Sequence, residues 1–381
     1  MNKKLKVLMS GGGTGGHIFP AIAIADEIRR RFPDAEFLFI GANGKMEMEK
    51  VPQSGYPIEG LSISGFDRGR LLANLKLPFK LIGSLRRAQK LIKAFKPDFA
   101  VGTGGFASGP ALYAAAQLGV PTFIQEQNAH AGMTNKILGR KAKAVFTAYP
   151  DVAGFEKTKI KFLGNPIRQA MIEGRQETAS AKAQLGLNRD KLTILSVGGS
   201  LGSRTLNNSW KENIDRLIAK DYQLIWQTGK NDYEEITTQW AKQRAEPLPE
   251  TIQIKEFIAD MPLYYSAADL IVSRAGAIAI SELAVAQKPV ILVPFPFAAE
   301  DHQSVNAQRL VERNAAKMVK DHEMKDRFWE VLSELGLRPE LREEMSQNIA
   351  FFAKPEAAKH IVDELLKTIG IPSDNIKTNL K

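Results

Sequence analysis

Residues 11–17 read Gly-Gly-Gly-Thr-Gly-Gly-His. A run of this kind brings backbone N–H groups close to an anion, and a helix starting there adds its positive end. Two further runs repeat the device: Val101-Gly102-Thr103-Gly104-Gly105 and Gly198-Gly199-Ser200-Leu201-Gly202-Ser203. A single run of this type is as readily a tight turn. Three, each following a short apolar stretch, point to a phosphorylated ligand held at strand ends. Gly11, Gly13 and Gly16 also satisfy a dinucleotide spacing. A nicotinamide ribose, however, needs a carboxylate at the end of the second strand, and that strand ends Phe39-Ile40-Gly41-Ala42. His17 closes the first run. The start of a helix disfavours imidazolium, which leaves a neutral ring available as a base; capping a helix or contacting a sugar is the equal alternative.

Other polar groups cluster beside apolar stretches. Gln125-Glu126-Gln127-Asn128 follows Thr122–Ile124, where its side chains are expected to line a crevice. Arg168, in Asn165-Pro166-Ile167-Arg168, suits a forked contact to a diphosphate. Ser281-Glu282 follows Arg274-Ala275-Gly276-Ala277, and Glu282 is either a helix-dipole partner or an acceptor for ribose hydroxyls. Asp301-His302-Gln303 has no second histidine at ligand spacing, which argues against a metal.

The elements that must position these groups alternate. Lys6–Met9 reads as a strand, His17–Arg31 as a helix and Glu36–Ile40 as a strand; Asp98–Val101 and Thr122–Ile124 follow as strands. The cycle restarts with Leu192–Val197, the helix Arg204–Lys220 and the strand Gln223–Trp226, then Leu270–Val272 and Pro289–Val293. Alternation of this kind predicts α/β architecture with parallel sheets, and two openings of strand, glycine turn and helix predict two Rossmann-like domains. The expected division is 1–165 and 166–353, with a last helix near 354–370 returning to the first domain.

The chain has 381 residues, more than one ordinary core accommodates, and 44% are hydrophobic. No stretch reaches the roughly 18 consecutive apolar residues of a membrane span. The basic, then apolar N-terminus runs straight into the glycines, so a buried strand fits it better than an export signal. The absence of cysteine excludes disulfides and thiolate metal sites. A net charge of +10 favours anionic partners. Nine basic residues and no acidic one lie between Arg68 and Lys96. Leu81, Leu85, Ala88, Leu91 and Phe95 there are spaced as a core-facing helix stripe; the leucines before them and Phe79 are left for a lipid surface. Apolar residues with clustered Lys and Arg suit anionic lipid, and the scarcity of aromatics argues against nucleic acid.

In combination the motifs resemble those of the MurG family, UDP-N-acetylglucosamine:N-acetylmuramyl-(pentapeptide)-pyrophosphoryl-undecaprenol transferases. They are Gly-Gly-Thr-Gly-Gly-His-Ile-Phe-Pro at 12–20, Gly-Thr-Gly-Gly at 102–105, Gln-Glu-Gln-Asn at 125–128 and Asn-Pro-Ile-Arg at 165–168. Gly-Gly-Ser-Leu-Gly-Ser-Arg at 198–204, Phe-Ile-Ala-Asp-Met at 257–261, Arg-Ala-Gly-Ala at 274–277, Ser-Glu at 281–282 and Asp-His-Gln at 301–303 complete the set. The resemblance spans residue 5 to about 370. It implies a GT-B fold, two Rossmann-like domains facing a deep cleft, with the donor held mainly by the second. It places Thr14, Gly15 and Gly16 near the donor sugar and acceptor diphosphate, Asn128 on the sugar, and Arg168 and Ser200 at the diphosphate. Ile258 would meet uracil through its backbone; Ala277, Ile278, Ala279, Ile280, Ser281 and Glu282 would line the nucleotide, with Glu282 on the ribose, and Gln303 would meet sugar hydroxyls. Phe106, Ser203 and His302 depart from residues common in relatives and touch acceptor details.

The reaction implied is inverting transfer of N-acetylglucosamine from UDP-N-acetylglucosamine to the 4-hydroxyl of a lipid-linked muramyl-pentapeptide, without metal or cofactor. His17 is the first candidate base and Glu126 the second. The setting implied is the cytoplasmic face of the inner membrane, bound peripherally through the Arg68–Lys96 region. Two other classes stand beside it: another UDP-sugar transferase with a lipid acceptor, and a nucleotide-sugar or membrane-surface binder that turns nothing over.

Overall fold

The computed structural model describes residues 4–63, 77–199, 201–243 and 248–371. They form two compact units, residues 1–168 with 354–381, and residues 169–353.

The first unit is built on seven strands: β1 (Lys6–Gly11), β2 (Glu36–Ala42), β3 (Ile58–Leu61), β4 (Phe99–Gly104), β5 (Thr122–Glu126), β6 (Ala144–Thr147) and β7 (Ile160–Phe162). Their order is β3-β2-β1-β4-β5-β6-β7, with every pairing parallel. Helices on both faces bury the central strands, which explains uninterrupted apolar runs such as Val7, Leu8 and Met9, all 0% exposed. The order reverses between β1 and β4, and loops diverging there open the crevice in which such sheets bind ligands. Three glycines predicted as loop belong to the sheet, because Gly102 pairs with Ser10 and Gly104 with Gly11 across the switch point. Gln125 and Glu126 likewise lie in β5, paired with Phe146 and Thr147.

The helix Ala357–Thr368 packs against the helix Gly15–Arg31, and Ile361, Val362, Leu365 and Leu366 share one core with Ile24, Ala25 and Ile28. Arg31, almost wholly buried, joins the two by pairing with Glu27 at 2.6 Å and with Asp363, and by donating to the Lys359 carbonyl at 3.0 Å.

The helix Leu77–Phe95 departs from the expected stripe. Among its described side chains the buried ones are Ser84, Ala88 and Ile92, four apart, flanked by half-buried Leu85, Leu91 and Phe95. Leu81 does not join the core; it is exposed beside Phe79 (78% exposed) and Ile82. A straight helix sets its face by 3.6 residues per turn, and Ile92, passed over in the expected stripe, carries that face away from Leu81. Arg68, Arg70, Lys76 and the leucines at 71, 72 and 75 lie outside the described residues, as does the tail from 372. Among the described residues no helix is long and apolar enough to cross a membrane.

The second unit repeats the plan with β8 (Thr193–Val197), β9 (Gln223–Gln227), β10 (Ile252–Lys255), β11 (Leu270–Ser273), β12 (Val290–Leu292) and β13 (Lys317–Met318), ordered β10-β9-β8-β11-β12-β13. Its switch point falls between β8 and β11. Trp210, fully buried on the helix Arg204–Ala219, meets Phe328 edge-on at 5.1 Å and donates to Ser196 on β8 at 2.7 Å. Ser203 caps this helix, its hydroxyl accepting from Leu206 N–H at 3.4 Å, so the departure at 203 supplies a cap that alanine lacks.

Candidate active site

In the first unit two glycine turns press backbone against backbone. A Cβ on Gly105 would lie 2.2 Å from the Gly12 carbonyl oxygen, and Gly105 has φ +90°. Gly12 N–H donates to the Gly104 carbonyl at 3.2 Å. The helix Gly15–Arg31 starts from this platform. His17 sits in its first turn, where Nδ1 donates to the Gly12 carbonyl at 3.0 Å. In the neutral ring that bond places the proton on Nδ1 and the lone pair on Nε2, the arrangement a base requires. Thr103 holds the same turn, its hydroxyl donating to the His17 carbonyl at 2.7 Å. Thr14, Gly15 and Gly16 precede His17 at the helix start, and the Thr14 side chain supplies no cap.

The cluster at the end of β5 turns inward rather than lining a crevice. Gln125, Glu126 and Gln127 are at most 1% exposed. Gln125 Nε2 donates to Asn165 Oδ1 at 2.8 Å, Asn165 Nδ2 to the Gln127 carbonyl at 3.2 Å, and Gln127 Nε2 to the Thr103 carbonyl at 2.7 Å. This amide lattice ties the loop after β5 to the end of β4. Within the cluster Asn128 alone is not fully buried.

Glu126 has four donors, two on each oxygen. Oε1 accepts from Asn128 N–H at 3.0 Å and Asn128 Nδ2 at 3.3 Å; Oε2 accepts from Gly132 N–H at 3.1 Å and Asn135 Nδ2 at 2.8 Å. A carboxylate offers about four lone-pair sites, so this one is filled by its own loop. Glu126→Gln, which turns an –NH₂ toward N–H donors, is expected to lower stability by about 2–4 kcal/mol, read from denaturant unfolding. Unchanged stability with a flattened pH–rate profile would instead mark a base.

In the second unit Gln227, at the end of β9, bridges two loops: Nε2 donates to the Gly199 carbonyl at 3.0 Å and Oε1 accepts from Ile258 N–H at 3.1 Å. The Ile258 carbonyl is thus the backbone group of that residue not engaged by Gln227. The helix Ala277–Ala286 starts after Gly276, which has no side chain to cap it. Ile278, Ala279 and Ser281 are half-buried, whereas Ala277, Ile280 and Glu282 are buried. Ser281 and Glu282 lie in the second turn, and the Ser281 hydroxyl donates to the Ala277 carbonyl at 3.0 Å. Gln303 Oε1 accepts from Ala275 N–H at 3.2 Å and Phe295 N–H at 3.0 Å, which orients its Nε2 as a donor. Arg274 serves the loops rather than a ligand. It donates to the carbonyls of Val293 and Pro294 and pairs with Asp321, which in turn accepts from Thr205.

Arg168 is exposed at the end of the first unit. Ser200 lies outside the described residues. No three His, Cys, Asp or Glu side chains gather as a metal site among the described residues. Gln227 and Glu47, whose carboxylate accepts from Gly13 N–H at 2.8 Å, pin these loops and belong to no sequence motif.

The glycosyltransferase family 28 N-terminal domain matches residues 7–147 and its C-terminal domain matches residues 193–361. The chain is 48% identical over 368 residues to a UDP-N-acetylglucosamine–N-acetylmuramyl-(pentapeptide) pyrophosphoryl-undecaprenol N-acetylglucosamine transferase of Phocaeicola vulgatus, covering 96% of this chain and 97% of the relative. The chain belongs to the MurG family. A second transferase of the same name, from Parabacteroides distasonis, is also 48% identical, over 96% of this chain and 99% of its own. The crystal structure of Acinetobacter baumannii MurG superposes with a TM-score of 0.76 at 29% identity, over 96% of this chain and 100% of that one. Family membership makes the two units Rossmann-like domains of the GT-B class, and the chain a glycosyltransferase. A UDP-N-acetylglucosamine 2-epimerase also superposes, with a TM-score of 0.64 at 17% identity over 97% of each chain. That likeness concerns the fold alone, so the MurG assignment rests on sequence identity.

Proposed function

We infer that this chain transfers N-acetylglucosamine from UDP-N-acetylglucosamine to the 4-hydroxyl of undecaprenyl-pyrophosphoryl-N-acetylmuramyl-pentapeptide, with inversion at the anomeric carbon, in peptidoglycan synthesis. The observation that carries this is 48% identity over nearly the whole of both chains to transferases of that name.

His17 Nε2 takes the proton of the attacking hydroxyl, supported by the tautomer its Nδ1 bond selects. Glu126, its lone pairs filled, holds Asn128 toward the sugar. The helix start at Gly15 and Gly16, with Thr14, faces the acceptor diphosphate and donor sugar. Arg168 and Ser200 stabilise charge developing on the departing UDP. The Ile258 carbonyl accepts from uracil N3–H, and Glu282 accepts from the ribose. The turn of Ala277, Ile278, Ala279 and Ile280, with Ser281, lines the nucleotide.

Gln303 donates to sugar hydroxyls through Nε2. Gln303→Glu keeps an oxygen for both backbone amides but replaces that donor, so KM for the donor is expected to rise about tenfold or more. Steady-state kinetics at varied UDP-N-acetylglucosamine check this.

Exposed Phe79, Leu81 and Ile82, with the basic side chains following them on the same helix, support peripheral binding to an anionic bilayer, which we place at its cytoplasmic face. The deciding experiment supplies radiolabelled UDP-N-acetylglucosamine and the lipid-linked muramyl-pentapeptide in phosphatidylglycerol vesicles. Label is expected in the lipid, and the protein is expected to sediment with the vesicles and leave them at high salt. Donor binding without label transfer would refute the acceptor assignment.

A further inference from the structure

Glu47 is a buried carboxylate outside every motif that suggested the function. It opens the helix Glu47–Gln53 after β2 and is 1% exposed. Its oxygens are divided: Oε2 accepts from Gly13 N–H at 2.8 Å, and Oε1 from Ala42 N–H at 3.0 Å. Two neighbours owe their lack of a side chain to it. A Cβ on Gly12 would lie 2.1 Å from Glu47 Oε1, and one on Gly41 would lie 2.7 Å from its Cγ.

The Gly13 N–H belongs to the same peptide unit as the Gly12 carbonyl. In a trans peptide these two groups point in opposite directions within one plane. A carboxylate that fixes the N–H on one side therefore fixes the carbonyl on the other, and that carbonyl accepts from His17 Nδ1 at 3.0 Å. Charge on the carboxylate also polarises the peptide and strengthens the carbonyl as an acceptor, as in any hydrogen-bonded chain. Carboxylate, peptide and imidazole form one line, in which the peptide occupies the place that a directly bonded carboxylate takes in a Ser-His-Asp site.

We propose that Glu47 is a positioning residue for this active site, acting through the Gly12–Gly13 peptide to set the tautomer and orientation of His17. The same contact has a second consequence. The Gly13 amide of the first glycine run is occupied by an internal anion, so the run serves the histidine at that position rather than cradling a phosphate there. Unlike the dinucleotide fold, which places its carboxylate at a strand end for the ribose, this chain turns one inward from the following helix onto the loop.

The inference deepens the reading of His17 as the base, and its test separates the two. Full-length protein labelled with ¹⁵N-histidine reports the tautomer from its ring nitrogens, and loss of one signal set in His17→Ala assigns the residue. The wild type is expected to show Nδ1–H. Glu47→Gln, with a single acceptor and an –NH₂ against a backbone N–H, should lose that preference while remaining folded. Its kcat should fall about 10- to 100-fold, the usual effect of removing a group that orients a working side chain, with UDP affinity unchanged. Glu47→Ala should behave alike, and formate, a carboxylate small enough for the space, should restore tautomer and rate where chloride at equal ionic strength does not. An Nδ1–H signal unaltered in the folded variants overturns the proposal. Loss of the folded state in both variants also overturns it, making Glu47 a residue of the fold rather than of the site. A lost tautomer preference with unchanged kcat upholds Glu47's role and removes His17 as the base.

Discussion

His17→Ala is expected to lower kcat about 10²- to 10⁴-fold, the range that a positioned general base contributes. The Michaelis constant for UDP-N-acetylglucosamine should remain near the wild-type value, because the groups assigned to uracil and ribose belong to the second unit. A change confined to kcat marks an interaction made only in the transition state. UDP binding by calorimetry should likewise be unaffected, since His17 is only half-buried and the elements around it are held by other bonds. Those are Thr103 to the His17 carbonyl and Gly12 to Gly104. His17→Gln offers a further comparison: it retains hydrogen bonding at the helix start but no basic nitrogen, and should be as slow as alanine. A glutamine variant with near wild-type kcat would show that hydrogen bonding to sugar, rather than proton removal, is the work of this residue.

The strands and glycine turns were legible because their signals are local. A buried parallel strand needs an apolar run and a close backbone crossing needs glycine, and both requirements act on neighbours in sequence. The motif residues around each switch point were legible for the same reason. The direction in which polar side chains face was not. Gln125, Glu126, Gln127 and Asn128 suggest a solvated rim, yet three of them point into the protein. What decides this is Asn165, forty residues away from Gln125, and the carbonyl of Thr103. Glu126 passes for a free base in sequence because its four donors become visible only once its loop is folded.

Glu47 was invisible for a related reason. The glycines at 12 and 41 recorded its presence, but a glycine reports that space is occupied and not by what. The helix Leu77–Phe95 shows the limit of periodicity. Leu81 and Leu85 are spaced as one stripe, but the packed face is Ser84, Ala88 and Ile92, where small residues allow close approach to the helix Ser108–Gln117. A hydrophobic pattern counts apolar residues and gives no weight to a buried serine.

Truncating the chain before residue 354 is expected to unfold the first unit. The helix Ala357–Thr368 inserts four fully buried aliphatic residues, Ile361, Val362, Leu365 and Leu366. At about 1.5–3 kcal/mol for each buried side chain, their removal costs about 6–12 kcal/mol. That rivals the about 5–15 kcal/mol by which a domain is stable at all. Truncation also strips Asp363 and the Lys359 carbonyl from Arg31, leaving a nearly buried guanidinium with Glu27 as its remaining bonded partner. Hydrogen exchange resolved along the chain reads the outcome. Protection should collapse in Gly15–Arg31 and persist in Arg204–Ala219, whose core is made by Trp210 and Phe328 of the second unit. Leu365→Ala should give a graded version, about 2–5 kcal/mol. Retained protection of Gly15–Arg31 after truncation would mean that the first sheet holds that helix unaided. The consequence reaches the chemistry, because Gly15–Arg31 is the helix that carries His17 in its first turn. The helix Ala357–Thr368 therefore stabilises the element that aims His17.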